Sequence, residues 1–322
     1  MESLRQVRGR VMKKSVWLVG PGNIGIEYVK VLQSLDVDIT AIGRSQKKDW
    51  PIPVYDQGLD NYIKSVPNDI PEYAIVAVDE NQLYSITKRL ITKGVKNILL
   101  EKPGAINKEQ IKSLEQMSIS MKCNLFIAYN RRFYQSVQKC KEKINQSKGP
   151  ISINFSFTEW THAIEFDTYS KEELEKFVLC NSSHIPDTVF YLAGKPKALN
   201  CQTAGSLKWH PAASIFQGNG ITERGILINY NANWESAGRW GIEICLPSEK
   251  LILRPLEKLY IQPKGSLNNV EYKLQNESID LIFKAGLHEE VKSFLTKQDD
   301  LCSIADQVQN FEWFYKMANY KK

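Results

Sequence analysis

The sequence predicts an α/β protein in two domains: a doubly wound parallel sheet over residues 13–128, then an α+β domain with a mostly antiparallel sheet over 129–322. Three observations carry this. Strand-like and helix-like segments alternate regularly through the first half. The second half holds long β-type runs joined by short turns. A chain of 322 residues also exceeds what one typical core encloses.

Composition narrows the class. At 43% hydrophobic and 24% charged residues, the chain reads as packed and water-soluble. Its longest apolar runs, such as VWLVG at 16–20, are strand-sized, far short of the ~20 residues of a membrane span. No membrane partner is expected, and a cytoplasmic location is. The segment MESLRQVRGRVMKKS is basic but lacks the apolar core of a secretory signal; residues 1–12 are set outside the fold, with Met12 an alternative start. The net charge of +6 is interspersed with acids, which argues against a nucleic-acid partner and agrees with anionic ligands such as nucleotide phosphates. Cysteines at 123, 140, 180, 201, 245 and 302 form no C-x-x-C pair and no His/Cys cluster. Reduced thiols are expected, with neither a metal site nor a disulfide framework.

Taken in order, VWLVG (16–20) precedes a helix with Ile24, Tyr28, Val31 and Leu35 at helical spacing. DITAI (38–42) and AIVAV (74–78) read as strands, followed by a helix carrying Leu83, Ile86 and Leu90, the strand VKNILL (95–100), a helix over 108–121 and the strand NLFIAY (124–129). The helix at 108 has Asn107 as N-cap, Gln110 three residues on, and Ile106 with Ile111 as a hydrophobic staple. Strands separated by helices imply a parallel, doubly wound sheet. A basic helix in RRFYQSVQKCKEKI leads to Gly149-Pro150, and the domain boundary is placed near 129–150.

Beyond it, GPISINFSFTEW (149–160), ALNCQTAGSL (198–207), GILINYNANW (225–234) and IEICLPSEKLILR (242–254) are β-type runs. Alternation in the third puts Ile226, Ile228, Tyr230, Ala232 and Trp234 on one face and Asn229, Asn231 and Asn233 on the other, so one side of this sheet is buried and the other polar. A helix begins at Ser170, with Glu173 completing a capping box, and a helix pair at about 286–297 and 301–319 ends the chain.

Gly20, Gly22 and Gly25 form G-x-G-x-x-G in GPGNIG, after a strand and at the head of a helix. Gly20 allows the tight turn, Gly22 lets backbone approach a pyrophosphate, and Gly25 lets the helix pack, while free amides at Asn23 and Ile24 face the phosphates. This context marks a Rossmann-type dinucleotide site. The residue that reads the adenosine ribose falls at Gly43, where an NAD-selective site places an acid; Arg44, Ser45, Lys47 and Lys48 follow instead. That pattern favours NADP(H) over NAD(H), the alternative being a solvated basic loop without a role in cofactor choice.

The run ILLEKPGA (98–105), with Glu101-Lys102-Pro103 ending a parallel strand, resembles the signature of the glucose-fructose oxidoreductase, inositol dehydrogenase and MocA (Gfo/Idh/MocA) family. YNRRF (129–133), SSHIPDTVFYLAG (182–194) and HEEVKSFL (288–295) resemble its domain crossover, its H-x-x-D helix and its C-terminal pattern, so the resemblance spans about 14–319. It implies a large open sheet in the second domain, homodimers or homotetramers joined through that sheet's exposed face, and hydride transfer between a nicotinamide and a sugar, nucleotide-sugar or cyclitol. It also implies that Lys102 and His184 are catalytic, that Glu101 and Lys102 border the cofactor, and that the Lys102-Pro103 bond is cis. An imidazole with an ordinary pKa near ~6.5 suits proton exchange near neutrality. One departure stands out. Where the family often has Asp four residues before the histidine, this chain has Cys180, which cannot supply a fixed negative charge; Glu159, Glu165 or Asp167 could replace it, and Asp187 reads as structural.

Arg131 at the domain junction, His162 in EWTHAIEF, Cys180 and Asn181 are candidate substrate contacts. Aromatic side chains at 160, 209, 234 and 240 suit the C–H faces of sugars, though core or interface packing accounts better for each one singly. Two other readings stay open: a non-catalytic dinucleotide- or sugar-binding sensor on the same fold, and a hydrolytic or eliminating reaction with tightly held nicotinamide.

Overall fold

The computed structural model describes residues 13–46, 49–275 and 277–321; Lys47, Lys48 and the segment set outside the fold fall beyond them. The first half consists of β1 (Ser15–Val19), α1 (Asn23–Ser34), β2 (Asp38–Ile42), β3 (Val54–Tyr55), α2 (Leu59–Ser65), β4 (Tyr73–Val76), α3 (Glu80–Lys93), β5 (Asn97–Glu101), α4 (Lys108–Ser120) and β6 (Asn124–Ala128). Their strands run parallel in the order β3-β2-β1-β4-β5-β6. Chain order therefore reverses between β1 and β4, and in such sheets ligands bind in the crevice outside the strand C-termini at that switch point. Both faces are covered. Val16 and Leu18 pack with Tyr28, Val29 and Leu32 of α1, while Trp17 and Val19 face Leu83 and Leu90 of α3. This is why the strands read as continuous apolar runs.

The second half consists of α5 (Gln135–Gln146), β7 (Ser152–Ser156), α6 (Lys171–Glu175), α7 (His184–Ala193), β8 (Pro196–Ala204), β9 (Ile215–Thr222), β10 (Leu227–Asn233), β11 (Gly241–Cys245), β12 (Glu249–Leu253), β13 (Tyr260–Pro263), β14 (Val270–Glu271), α8 (Glu277–Ile282), α9 (Leu287–Leu295), β15 (Cys302–Ser303) and α10 (Ile304–Ala318). Eight strands form an open sheet in the order β14-β13-β12-β11-β7-β10-β9-β8, antiparallel except where β7 meets β10. The alternation along β10 is as expected: Ile228, Tyr230 and Ala232 are buried, Asn229 and Asn231 exposed. Helices α5 and α7 cover the buried face, and no described residue covers the polar one.

The chain then returns to its beginning. β15 adds an antiparallel edge to β6, α9 packs on α1, and α10 packs on α4 and β8, so it touches both sheets. Several boundaries differ from those read in the sequence. IEICLPSEKLILR is the β11–β12 hairpin, RRF belongs to a 3₁₀ turn (Asn130–Phe133) before α5, and the Ser170 capping box forms but starts a helix of only five residues. No helix among the described residues is long and apolar enough to cross a membrane.

Candidate active site

The glycine turn joins β1 to α1 at the switch point. Gly20 has φ +112°, and a Cβ there would lie 2.2 Å from the Ala77 carbonyl oxygen; one on Gly25 would lie 2.5 Å from the Gly20 oxygen. Gly22 differs. Nothing lies within 4 Å of where its Cβ would be, so packing leaves that position free and the space is open to a ligand. No side chain caps Gly22, which leaves the first amides of α1, from Asn23 and Ile24 onward, without side-chain acceptors at the positive end of the helix dipole. These features fit a dinucleotide pyrophosphate. A cavity of about 190 Å³ extends from this turn, lined by Gly20, Gly22, Gly43, Arg44, Ser45, Gly58, Asp79 and Gln82 among others. Asp79 and Gln82 went unmarked in the sequence because their approach depends on the β4–α3 turn.

At the far end of the crevice, the cis Lys102-Pro103 bond follows β5. The Lys102 Nζ donates to the Cys180 carbonyl at 2.5 Å and lies 3.5 Å from Glu80 Oε1. Glu101 turns the other way and accepts from the Tyr28 hydroxyl at 2.8 Å; loss of water raises its pKa, offset by Lys102 and Tyr28. Cys180 lies in a π-helical turn (Val178–Ser182), a feature frequent at functional sites, and contributes its carbonyl, its thiol being buried and pushed up in pKa by burial.

His184 starts α7, one turn beyond Cys180. Its ring packs edge-on against Tyr129 at 5.5 Å and lies 6.3 Å from the Trp240 ring, with Nδ1 buried and unpartnered. Burial first, then Arg131, Lys102 and Lys284, hold its pKa well below the usual value, so the imidazole is neutral at neutrality. This corrects the expectation of an ordinary histidine. A hydrogen-bond chain ties the two candidates together: Gln307 of α10 donates to the Pro103 carbonyl and the Tyr129 hydroxyl, both at 2.9 Å, and Tyr129 donates to Ser183 at 3.3 Å.

Among the other candidates, Asn181 donates to Glu159 at 3.0 Å and, with Glu159, Tyr169 and Arg239, lines a cavity of about 220 Å³. Arg131 lies over Trp240 at 4.7 Å. His162 is exposed and its ring lies tilted 6.2 Å from that of Trp160 without lining that cavity. Asp187 is structural, gripped by both ends of the Arg132 guanidinium at 2.8 and 2.6 Å. Glu159 is buried and accepts from Asn181, Ser182, Trp240 and Arg239; burial raises its pKa and these donors offset it. Among the described residues no cluster of three His, Cys, Asp or Glu side chains is placed to hold a metal.

A parallel sheet with a glycine cradle at its switch point defines a Rossmann-type dinucleotide-binding fold. Residues 14–129 match the Gfo/Idh/MocA sequence profile, described as an oxidoreductase family with an NAD-binding Rossmann fold. The match covers only the parallel-sheet half of the chain. Across the whole chain the likeness to solved structures is one of fold. An oxidoreductase from Agrobacterium radiobacter, in complex with NAD+, L-tartaric acid and magnesium, superimposes with TM-score 0.77 at 13% identity over 97% of this chain and 98% of that one. An inositol dehydrogenase homolog from Azotobacter vinelandii, complexed with NADH and myo-inositol, gives 0.74 at 13% over 96% and 95%. A UDP-N-acetylglucosamine 3-dehydrogenase from Acidithiobacillus ferrooxidans gives 0.66 at 11% over 95% and 97%. No curated protein sequence matches the chain.

Proposed function

We propose that this chain transfers hydride between a nicotinamide dinucleotide, NADP(H) in preference to NAD(H), and a hydroxyl or carbonyl carbon of a sugar, nucleotide-sugar or cyclitol. The observation that carries the reading is that Lys102, at the end of β5, acts electrostatically on His184 of α7, and that the residues beside them, Pro103 and Ser183, are tied by the Gln307–Tyr129 hydrogen-bond chain. The ligands of the similar structures, myo-inositol with NADH and L-tartaric acid with NAD+, agree with a small hydroxylated substrate.

When bound, the nicotinamide accepts or returns the hydride. Lys102 has three N–H donors, of which the Cys180 carbonyl and Glu80 engage two; the third is available for the reacting oxygen and stabilises its alkoxide character. In the oxidising direction the substrate O–H breaks, its proton passes to the neutral His184, and the carbon–oxygen double bond forms as the C–H pair leaves as hydride. Asn181 and Arg131 border the substrate, Cys180 acts through its carbonyl alone, and His162 stays at the rim. The polar face of the open sheet joins copies into a dimer or tetramer.

A second reading, a sensor that binds both ligands without chemistry, is favoured by one observation: among the described residues no carboxylate pairs with His184. Single-turnover hydride transfer followed by nicotinamide absorbance separates the two. Lys102→Ala and His184→Ala each lower it by ~10²–10⁴ fold while dinucleotide affinity changes little. Wild-type protein that binds both ligands and moves no hydride at any pH establishes the sensor.

A further inference from the structure

We propose that the substrate carries a carboxylate or phosphate, received by the guanidinium of Arg131 close beside His184. This rests on the hydride-transfer reading and names the substrate class for that same cleft.

Two adjacent arginines make the case by contrast. Arg132 is buried and its fork is filled by Asp187 at 2.8 and 2.6 Å. The Arg131 side chain, half-buried, makes no ion pair or hydrogen bond among the described residues; Tyr134, Glu257 and Glu159 act on it only from beyond ion-pair distance. Withdrawing a guanidinium from water without an acceptor is costly, and an arriving oxyanion removes that cost through paired N–H bonds.

Packing fixes where the empty fork sits. The guanidinium lies over Trp240 at 4.7 Å; Arg239 lies over the same ring at 4.8 Å and over Trp160, also at 4.8 Å. Glu159 locks this ladder, accepting from Trp240 Nε1 and Arg239, both at 3.1 Å. It also takes Asn181 and Ser182, so this carboxylate is committed and cannot serve Arg131. Arg131 and His184 share Trp240 as a neighbour, which places the anion a few bonds from the reacting carbon.

The surrounding charge agrees. Around His184 stand Arg131 from the domain crossover, Lys102 from the end of β5 and Lys284 from the α8–α9 link, all disfavouring its protonation, with Tyr129 and Trp240 as uncharged walls. Of the three, Lys102 lies 3.5 Å from Glu80 and Lys284 is acted on by Glu101, while Arg131 has no ion pair among the described residues. An oxyanion on Arg131 supplies the missing negative charge and makes the proton transfer to His184 easier.

The test measures binding to wild-type protein saturated with NADP+, by calorimetry, using glucuronate, glucose 6-phosphate and myo-inositol. One of the two acidic ligands should bind at least about tenfold more tightly than myo-inositol, and which one does so distinguishes carboxylate from phosphate. Arg131→Gln should erase about 10–100-fold of the acidic ligand's affinity, the range for a lost charged hydrogen bond, and Arg131→Lys should retain part of it, with NADP+ affinity unchanged in both. Equal affinity for acidic and neutral ligands overturns the proposal, as does an acid preference that survives Arg131→Gln. If neither variant folds, the wild type still decides: acidic-ligand affinity must fall between 50 and 500 mM salt by at least about threefold while that of myo-inositol holds, and salt-indifferent binding overturns it. Acid binding through Arg131 without hydride transfer supports this inference while defeating the catalytic reading.

Discussion

Gly43 stands where a ribose-reading side chain would begin, and a Cβ there would meet Pro21 Cγ at 2.5 Å. A side chain at this position would have to displace Pro21, and Arg44 and Ser45, next in the chain, line the cavity there. Arg44→Ala should weaken NADPH about 10–100-fold, as expected for a lost charged contact to a 2′-phosphate, and leave NADH nearly unchanged. Equal dissociation constants for NADPH and NADH in the wild type refute the preference. Behind the cradle, Glu290 is fully buried with both carboxylate oxygens unpartnered. Burial first, then Glu101, raises its pKa well above the usual range. The folded chain thus keeps a proton that the unfolded chain releases above about pH 4.3, so this residue's contribution to stability is present below that pH and is lost as pH rises through the folded value. Glu290→Gln, which keeps the shape and does not titrate, should match wild type in Tm near pH 4 and exceed it by a few degrees at pH 8. Parallel Tm–pH curves would show that Glu290 ionises freely in the fold.

The β1–α1 turn allows the three glycines to be separated by function. Gly20→Ala forces a Cβ into the Ala77 carbonyl at positive φ, so it should cost at least about 2 kcal/mol of stability. Gly22→Ala meets no protein atom; it should leave urea unfolding unchanged yet weaken dinucleotide binding at least about tenfold. A Gly22→Ala protein that binds normally would remove the pyrophosphate from this position. That turn was legible in the sequence because its constraint is local, as were α4, where Asn107 accepts from the Gln110 amide at 2.9 Å, and β10, where alternation matches burial residue by residue. β9 was not. Its IFQGNGIT carries Gly218 and Gly220, which have no apolar signal and whose Cβ atoms would strike carbonyls of β8 at 2.4 and 2.0 Å; the reason for glycine lies on another strand. The two-residue β3, β14 and β15 are too short for any periodicity. In the site, Lys102 and His184 stood out through their flanking motifs. Glu80, Gln307 and the Arg131–Trp240–Arg239 ladder emerged only from the fold, because each depends on segments distant in sequence.

At the scale of the molecule, α10 joins the two halves and the second sheet keeps one face bare. Asn154, Asn219, Asn229 and Asn231 line that face, over which lies a cavity of about 710 Å³ that neither Lys102 nor His184 lines. Leu227 and Ile221, register partners on β10 and β9, add exposed apolar surface to it at 58% and 37% exposure. Amide side chains in rows can exchange hydrogen bonds with a copy of themselves across a two-fold axis, and an apolar pair beside them supplies area to bury, which makes the face self-complementary. Light scattering at micromolar concentration should therefore give twice or four times the chain mass. Asn231→Arg places a cation on the face in every copy; across a two-fold these repel, so the assembly should dissociate to smaller species, increasingly so at low salt, while the circular dichroism of the folded chain stays the same. A wild-type monomer would refute the interface. An assembly that survives both Asn231→Arg and Leu227→Asp would move it to another surface, because no two copies could then meet across β10 without burying those charges.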